Sequence, residues 1–207
     1  MGRTITPANK LSRRFGVNLG LKTNAAKVAR RLSQPPGVHG PKKRAGAKSS
    51  YGKQLLEKQK AKIIYGMRER QFARFVAEAT RLPGDSSVTL SRLLEQRLDN
   101  VIYRLGFAST RAQARQFVTH GMFMLNGIAM DIPSHLVREG DIITVRESKK
   151  KKGPFASAKE TLEKKELPSW LTVDAAALTG KVIGMPLPTD MEQVFDVKQI
   201  IEHFSAR

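Results

Sequence analysis

Apolar residues in "LSRLLEQRLDNVIYRLGF" (90 to 107) recur three and four apart, at Leu90, Leu93, Leu94, Leu98, Val101, Ile102 and Leu105. That spacing lines one face of an α-helix, so the pattern predicts a single amphipathic helix with its stripe in a core, closed by Gly106. A second helix opens at Thr110, where Gln113 completes a capping box, and stops before Gly121; Ala114, Phe117 and Val118 face inward. Asn126-Gly127 between two apolar runs then predicts a two-residue type I′ turn and a small hairpin. Gly140 makes a further turn and "DIITV" a further strand, after which "SKKKKG" leaves the unit. The expected unit, about residues 91 to 150, is two helices on a short antiparallel sheet.

Upstream, Leu55, Leu56, Ile63, Ile64, Met67, Phe72, Phe75, Val76 and Ala79 keep near-helical spacing and predict two helices broken near Gly66. Lys53, Lys58, Lys60, Lys62, Arg68, Arg70 and Arg74 line their polar sides. "LPGDSS" (82 to 87) reads as a loop or boundary. Residues 1 to 48 are rich in Pro and Gly and predict mostly extended chain that orders on a partner, apart from "NAAKVARRLS", which can form two or three turns from Asn24. "QPPGVHGPKKR" (34 to 44) lies as a loop with its amides free, a segment suited to phosphate contact. Downstream, "ASAKETLEKKELPSW" predicts an exposed charged helix ending at Pro168. "WLTVD" and "GKVIGM" predict short strands, and "DVKQIIEHF" a last helix with Val197, Ile200, Ile201 and Phe204 on one face.

Charge changes the picture most. The chain has 37 Lys+Arg against 18 Asp+Glu, net +19, with 40% apolar residues, too many for a simple basic tail. Residues 1 to 60 hold 15 basic and 1 acidic, 61 to 153 hold 16 and 9, and 154 to 207 hold 6 and 8. The partner is a polyanion, and the grip is N-terminal. A membrane surface fits less well than nucleic acid, because the basic segment lacks a sustained Leu/Phe/Trp face. With no Cys, disulfides and thiolate metal sites are excluded, and four scattered His residues form no ligand pattern, so neither metal nor cofactor is expected. No stretch reaches the roughly 20 apolar residues of a bilayer span. Arg111 and Arg115, four apart, stack one above the other, and Arg97 and Arg104, seven apart, share a flank; four arginines on two adjacent helices favour a binding surface.

"LSRR", "PPGVHG", "YGKQLLEKQK", "IYGMRERQF", "LLEQRLDNVIYRLGFASTRAQARQFVTHG", "NG", "GDIITVRE" and "WLTVD" together resemble the bacterial small-subunit ribosomal protein S-four family over essentially the full length. The resemblance implies an α+β chain: a basic extended N-terminal segment (1 to 45), a mostly helical domain begun by 46 to 90, an inserted small RNA-binding domain (91 to 150), and a linker helix with the rest of the helical domain (151 to 207). Residues 45 to 90 would then pack with the tail from about 165 on. It implies binding of 16S rRNA at a multi-helix junction in the five-prime domain, nucleation of subunit-body assembly, a seat beside protein S-five where mRNA enters, an influence on decoding accuracy, and a cytoplasmic location on the small subunit. By motif, Arg97, Arg104, Arg111, Arg115 and His120 would face RNA from the small domain, His120 having a local helix cap as its other role. Lys42, Lys43, Arg44, Lys53, Arg68, Arg70 and Arg74 would do so from the larger one. Tyr51 would stack on a base or on its own helix, and Arg13, Arg14, His39 and Arg92 complete the set. The zinc of the cysteine-bearing branch is not implied.

Two other functions compete. "RLD" at 97 to 99 mimics the catalytic motif of pseudouridine synthases that carry the same small domain, yet Asp99 sits within the helix and the 207 residues hold no second, catalytic domain to build a pocket; its ordinary role is a surface charge paired with Arg or Lys. A stand-alone ribosome-associated RNA-binding or rescue factor would share the small domain, but would need neither the N-terminal extension nor the tail.

Overall fold

The computed structural model describes residues 6–40, 47–150, 155, 162, 165–190 and 194–205. Two compact units emerge, one from Met1–Leu90 with Glu192–Arg207, the other from Ser91–Met191.

The first unit is helical. Pro7 precedes α1 (Ala8–Phe15), Gly16 ends it at φ 70°, and Leu11 is buried. The Asn24 side chain accepts the Lys27 amide at 2.9 Å and starts α2 (Ala25–Ala29), which buries Val28. Because Leu11, Leu19 and Val28 find a core, residues 6–40 are not mostly extended as the Pro and Gly content suggests. α3 (Ser50–Ile64) ends in a Schellman motif: Gly66 takes φ 59°, its amide donates to Ile63, and Met67 donates to Lys62. α4 (Glu69–Arg81) follows, burying Phe72, Phe75, Val76 and Ala79. Far along the chain, α9 (Val197–Ser205) packs on α3, with Gln54 donating to Glu202 at 3.1 Å and the Asp196 amide donating to Glu57 at 3.0 Å. Its Ile200 is fully buried and so is His203, which the apolar pattern overlooks; Phe204 packs its ring on Phe72.

One ion pair in this unit is partly internal. Lys58, 3% exposed, donates to Glu69 at 2.8 Å, and Lys62 reaches the other carboxylate oxygen at 3.1 Å. Burial pushes the Glu69 pKa up, but the hydrogen bonds and charges of the two lysines outweigh it and hold the group below its ordinary 4.5. A depressed carboxylate stabilises the fold above its unfolded pKa, and this contribution is lost as pH falls through the lower folded value. Acidification below about pH 4.5 should therefore lower the melting temperature of the wild type more than that of Glu69→Gln, read by helical circular dichroism at pH 6 and pH 3. Parallel curves would show that the pair contributes nothing.

The second unit is a five-stranded antiparallel sheet with helices against it. β1 (Phe123–Leu125) and β2 (Ile128–Met130) form the hairpin, with Asn126 at φ 49° and Gly127 at φ 81°, the positive pair a type I′ turn requires. Asn126 also accepts the Ile142 amide at 2.8 Å, tying the turn to β3 (Ile142–Val145). After the short α8 (Glu147–Lys150) the chain returns as β4 (Leu171–Asp174) and β5 (Thr179–Val182), and the order is β2-β1-β3-β5-β4. Ile143 pairs with Gly180 and Val173 with Gly180 from the other side. The tail around residues 170 to 182 thus belongs to this sheet, and the chain from Glu192 on joins the helical unit, which corrects the expectation that everything after about 165 packs with residues 45 to 90. The charged segment 155 to 167 lies largely outside the described residues, but Phe155 and Leu162 are in the core.

The 90-to-107 pattern is two helices rather than one. α5 (Ser86–Glu95) stops, Arg97 turns extended (φ −64°, ψ 135°), and α6 (Leu98–Leu105) begins. The break is made by a distant segment: the Leu98 and Asp99 amides donate to the carbonyls of His135 and Pro133, and the Val137 amide donates to Gln96. α7 (Arg111–Thr119) packs on α6, started by Thr110, whose hydroxyl accepts the Gln113 amide while Gln113 accepts from Ser109.

Candidate nucleic-acid interface

Site residues of the helical unit divide into exposed cations and an internal clamp. Arg14, His39, Lys53, Arg68, Arg70 and Arg74 are exposed. Arg70 and Arg74 lie one turn apart on the polar side of α4, and Arg68 is the residue before that helix. Arg13 is used differently: from the last turn of α1 its Nε donates to the Gln34 carbonyl at 2.8 Å and its terminal nitrogen to Pro35 at 3.1 Å, so it braces the Pro-Pro-Gly loop from within. The loop closes tightly, because a Cβ at Gly40 would lie 2.0 Å from the Pro35 carbonyl oxygen. Gly40→Ala must therefore remodel the backbone that Arg13 holds. Amide exchange across residues 6–40 is expected to accelerate at least tenfold, a local loss of about 1–3 kcal/mol, with the sheet unit unaffected. Unchanged protection would mean that the loop relaxes without cost. Tyr51 is exposed and rests against the buried His203 ring, centroids 5.2 Å apart, which leaves the outer part of its ring facing solvent. Lys42, Lys43 and Arg44 lie outside the described residues.

In the sheet unit the arginines converge on two buried carboxylates. Arg97 is fully buried and donates to Asp99 Oδ2 at 3.0 Å. It therefore cannot face RNA from the position the structure gives it, and it does not share a flank with Arg104, since the helix breaks between Glu95 and Leu98. Arg115 donates to the same Asp99 oxygen at 2.9 Å. Asp99 is thus paired with arginine, as the sequence suggests, but inside rather than at the surface. Arg104 makes a two-nitrogen contact with the Glu95 carboxylate, at 2.9 and 3.0 Å, and Glu95 is itself buried. Arg111 donates from Nε to Asn100 Oδ1 at 2.8 Å and stacks over Tyr103, 4.5 Å from the ring centroid. Lys165 approaches the same ring at 4.7 Å. Arg104, Arg111 and Arg115 remain half-buried at the α6–α7 surface, whereas Arg92 on α5 and His120 at the end of α7 are exposed.

Sequence reasoning missed Glu95, Asn100 and Lys165. The one available signal for Asn100 was its position: a polar residue next to Val101 inside an apolar stripe, where only a satisfied amide is tolerated. Chemically, the described residues offer planar cations held by carboxylates, an aromatic ring and exposed lysines and arginines, the elements of phosphate and base contact. Among the described residues no three His, Cys, Asp or Glu side chains group as metal ligands, and no helix is long and apolar enough to cross a membrane.

Comparison with known proteins agrees with this anatomy. Residues 3–95 match the family described as "Ribosomal protein S4/S9 N-terminal domain", and residues 96–143 match the "S4 domain" family. The chain is 46% identical over 207 residues to the small ribosomal subunit protein uS4 of Roseiflexus castenholzii, covering 99% of this chain and 100% of the relative. It is 46% identical over 208 residues to the protein of the same name from Paraburkholderia xenovorans, and 43% over 207 residues to that of Chloroflexus aurantiacus, with the same coverage.

Proposed function

The chain belongs to the small ribosomal subunit protein uS4 family, and from that premise we propose that it binds the five-prime domain of 16S rRNA directly, nucleates assembly of the subunit body and contributes to accurate decoding beside protein S-five, near the path of mRNA. It is a ribosomal structural protein rather than an enzyme. The observation that carries the RNA-binding reading is the set of exposed cations on the helical unit, Arg14, Lys53, Arg70 and Arg74 among them, in a chain of net +19. Lysines and arginines of this kind neutralise clustered phosphates, and specificity then comes from the shape of the folded junction. Arg104, Arg111 and Arg115 add oriented guanidinium groups from the small domain. Asp99, the residue that mimics a catalytic aspartate, is held by two arginines and supports the fold. A stand-alone rescue factor would leave the helical unit without a purpose.

The test is binding of the purified chain to a five-prime-domain rRNA fragment against a scrambled RNA of equal length, in moderate salt with Mg²⁺. Preference for the folded fragment of roughly a thousandfold is expected, the low end of the specific-to-non-specific ratios typical of DNA-binding proteins. Equal binding would reduce the interaction to net charge and sink the primary-binder reading.

A further inference from the structure

Of the five asparagines in the chain, Asn126 alone precedes a glycine. That pairing favours deamidation, because glycine has no side chain to hinder attack by its own backbone nitrogen on the neighbouring side-chain amide. In that reaction the Gly127 nitrogen gives up its proton and bonds to Asn126 Cγ, ammonia leaves, and water opens the resulting succinimide ring. Water entering at Cγ leaves aspartate. Water entering at the backbone carbonyl leaves isoaspartate, with the chain running through the side-chain carboxyl and one more carbon in the turn. Nothing is oxidised or reduced; one water is consumed and one ammonia released. Asn126 and Gly127 are both exposed, so water is at hand.

The fold opposes the first step. Asn126 at φ 49° and Gly127 at φ 81° form the type I′ turn, and in the left-handed conformation such a turn gives Asn126, the Gly127 nitrogen lies on the far side of the Cα–C bond from Cβ. Ring closure needs the two on the same side. The side chain is held as well: Nδ2 donates to Asp141 Oδ1 at 2.8 Å, and Oδ1 accepts the Ile142 amide at 2.8 Å. The Asn126 amide donates in turn to the Ile142 carbonyl at 2.8 Å. A carboxylate only accepts and a backbone N–H only donates, so these partners settle which way the Asn126 amide faces. Asp141 is itself fixed, its other oxygen accepting the Arg138 amide at 2.7 Å. We propose that Asn126 is a deamidation site closed by the folded hairpin and open in the unfolded chain, with the type I′ turn and Asp141 as its guard. A product aspartate would set a carboxylate against that of Asp141, and isoaspartate would lengthen the two-residue turn. Either product loosens the tie between the hairpin and β3, so a chain left unfolded long enough to react does not regain this hairpin intact.

The test incubates the full chain at mildly alkaline pH and one temperature, either folded in buffer or unfolded in urea. Residue 126 is followed by peptide mass spectrometry, and isoaspartate by enzymatic methyl labelling. If reaction waits for the turn to open, the folded rate is the unfolded rate scaled by the open fraction, and it should be at least about tenfold lower. Asp141→Ala, which removes the partner of Nδ2, should react severalfold faster than the wild type when folded and at the same rate in urea. Asn126→Asp should speed amide exchange at position 126 and at Ile142 about tenfold. Equal wild-type rates in buffer and in urea would overturn the proposal, and a folded Asp141→Ala that reacts no faster than the wild type would overturn the role given to Asp141. The wild-type ratio needs no variant, so it decides the matter even if Asp141→Ala does not fold.

Discussion

Asp99→Ala is expected to destabilise the sheet unit by about 3–5 kcal/mol, the cost of leaving a buried charge without its counterion. The magnitude follows from the surroundings. Arg97 is fully buried and Arg115 half-buried, and both donate to one oxygen of Asp99. Truncating the carboxylate removes an acidic partner of the fully buried Arg97 guanidinium, at a site closed to water. The loss is a large share of the roughly 5–15 kcal/mol that holds an ordinary domain together, so much of the variant would be unfolded at physiological temperature. Urea unfolding followed by near-ultraviolet circular dichroism, in which Trp170 reports on this unit, measures the effect. Asp99→Asn keeps the shape and one acceptor and should fall between the two. A loss below about 1 kcal/mol for Asp99→Ala would mean that solvent reaches the pair and that it behaves like a surface salt bridge.

The second large effect concerns the partner. Six to ten phosphate contacts release about as many counterions, and affinity for the rRNA fragment should then fall roughly a thousandfold or more between about 50 and 200 mM salt. Lys53, Arg70, Arg74, Arg14 and Arg92 are exposed, and under the proposed rRNA binding they should carry most of this dependence. The buried Arg97 contributes nothing to the slope, because its charge is already compensated by Asp99. A filter-binding or fluorescence titration over that range gives the slope directly. A decline of less than tenfold would require that apolar or base contacts dominate, contrary to the surface described.

Local chemistry made part of this legible. Asn126-Gly127 needs only its own positive φ angles to specify a hairpin, and Gly66 needs only its own to end α3, so both were readable from neighbours in sequence. The break at Arg97 was not, because the apolar spacing runs on through it and the carbonyls of Pro133 and His135 that impose it come from elsewhere. The same reason hid the place of residues 171 to 182: a strand's partner is a non-local choice, and "WLTVD" reads equally well beside any edge. For the arginines, spacing told which side of α7 Arg111 and Arg115 share, but not that Asp99 and Asn100 on α6 would receive them. It gave no hint that Arg13 would serve as an internal brace for the Pro35 loop.

The pairing of α3 with α9 joins residues 148 positions apart, Gln54 with Glu202. On a translating ribosome, at about 5–20 residues per second, α3 and α4 must wait roughly 7–30 seconds after their own synthesis before the helix that covers them has been made. During that interval the faces bearing Ile64 and Phe72 have no cover from α9, and a message that terminates early leaves them so permanently. Closure of the helical unit is therefore a report that synthesis has passed α9, and a product truncated before it would carry an open apolar surface for the proteases and chaperones that remove unfinished proteins.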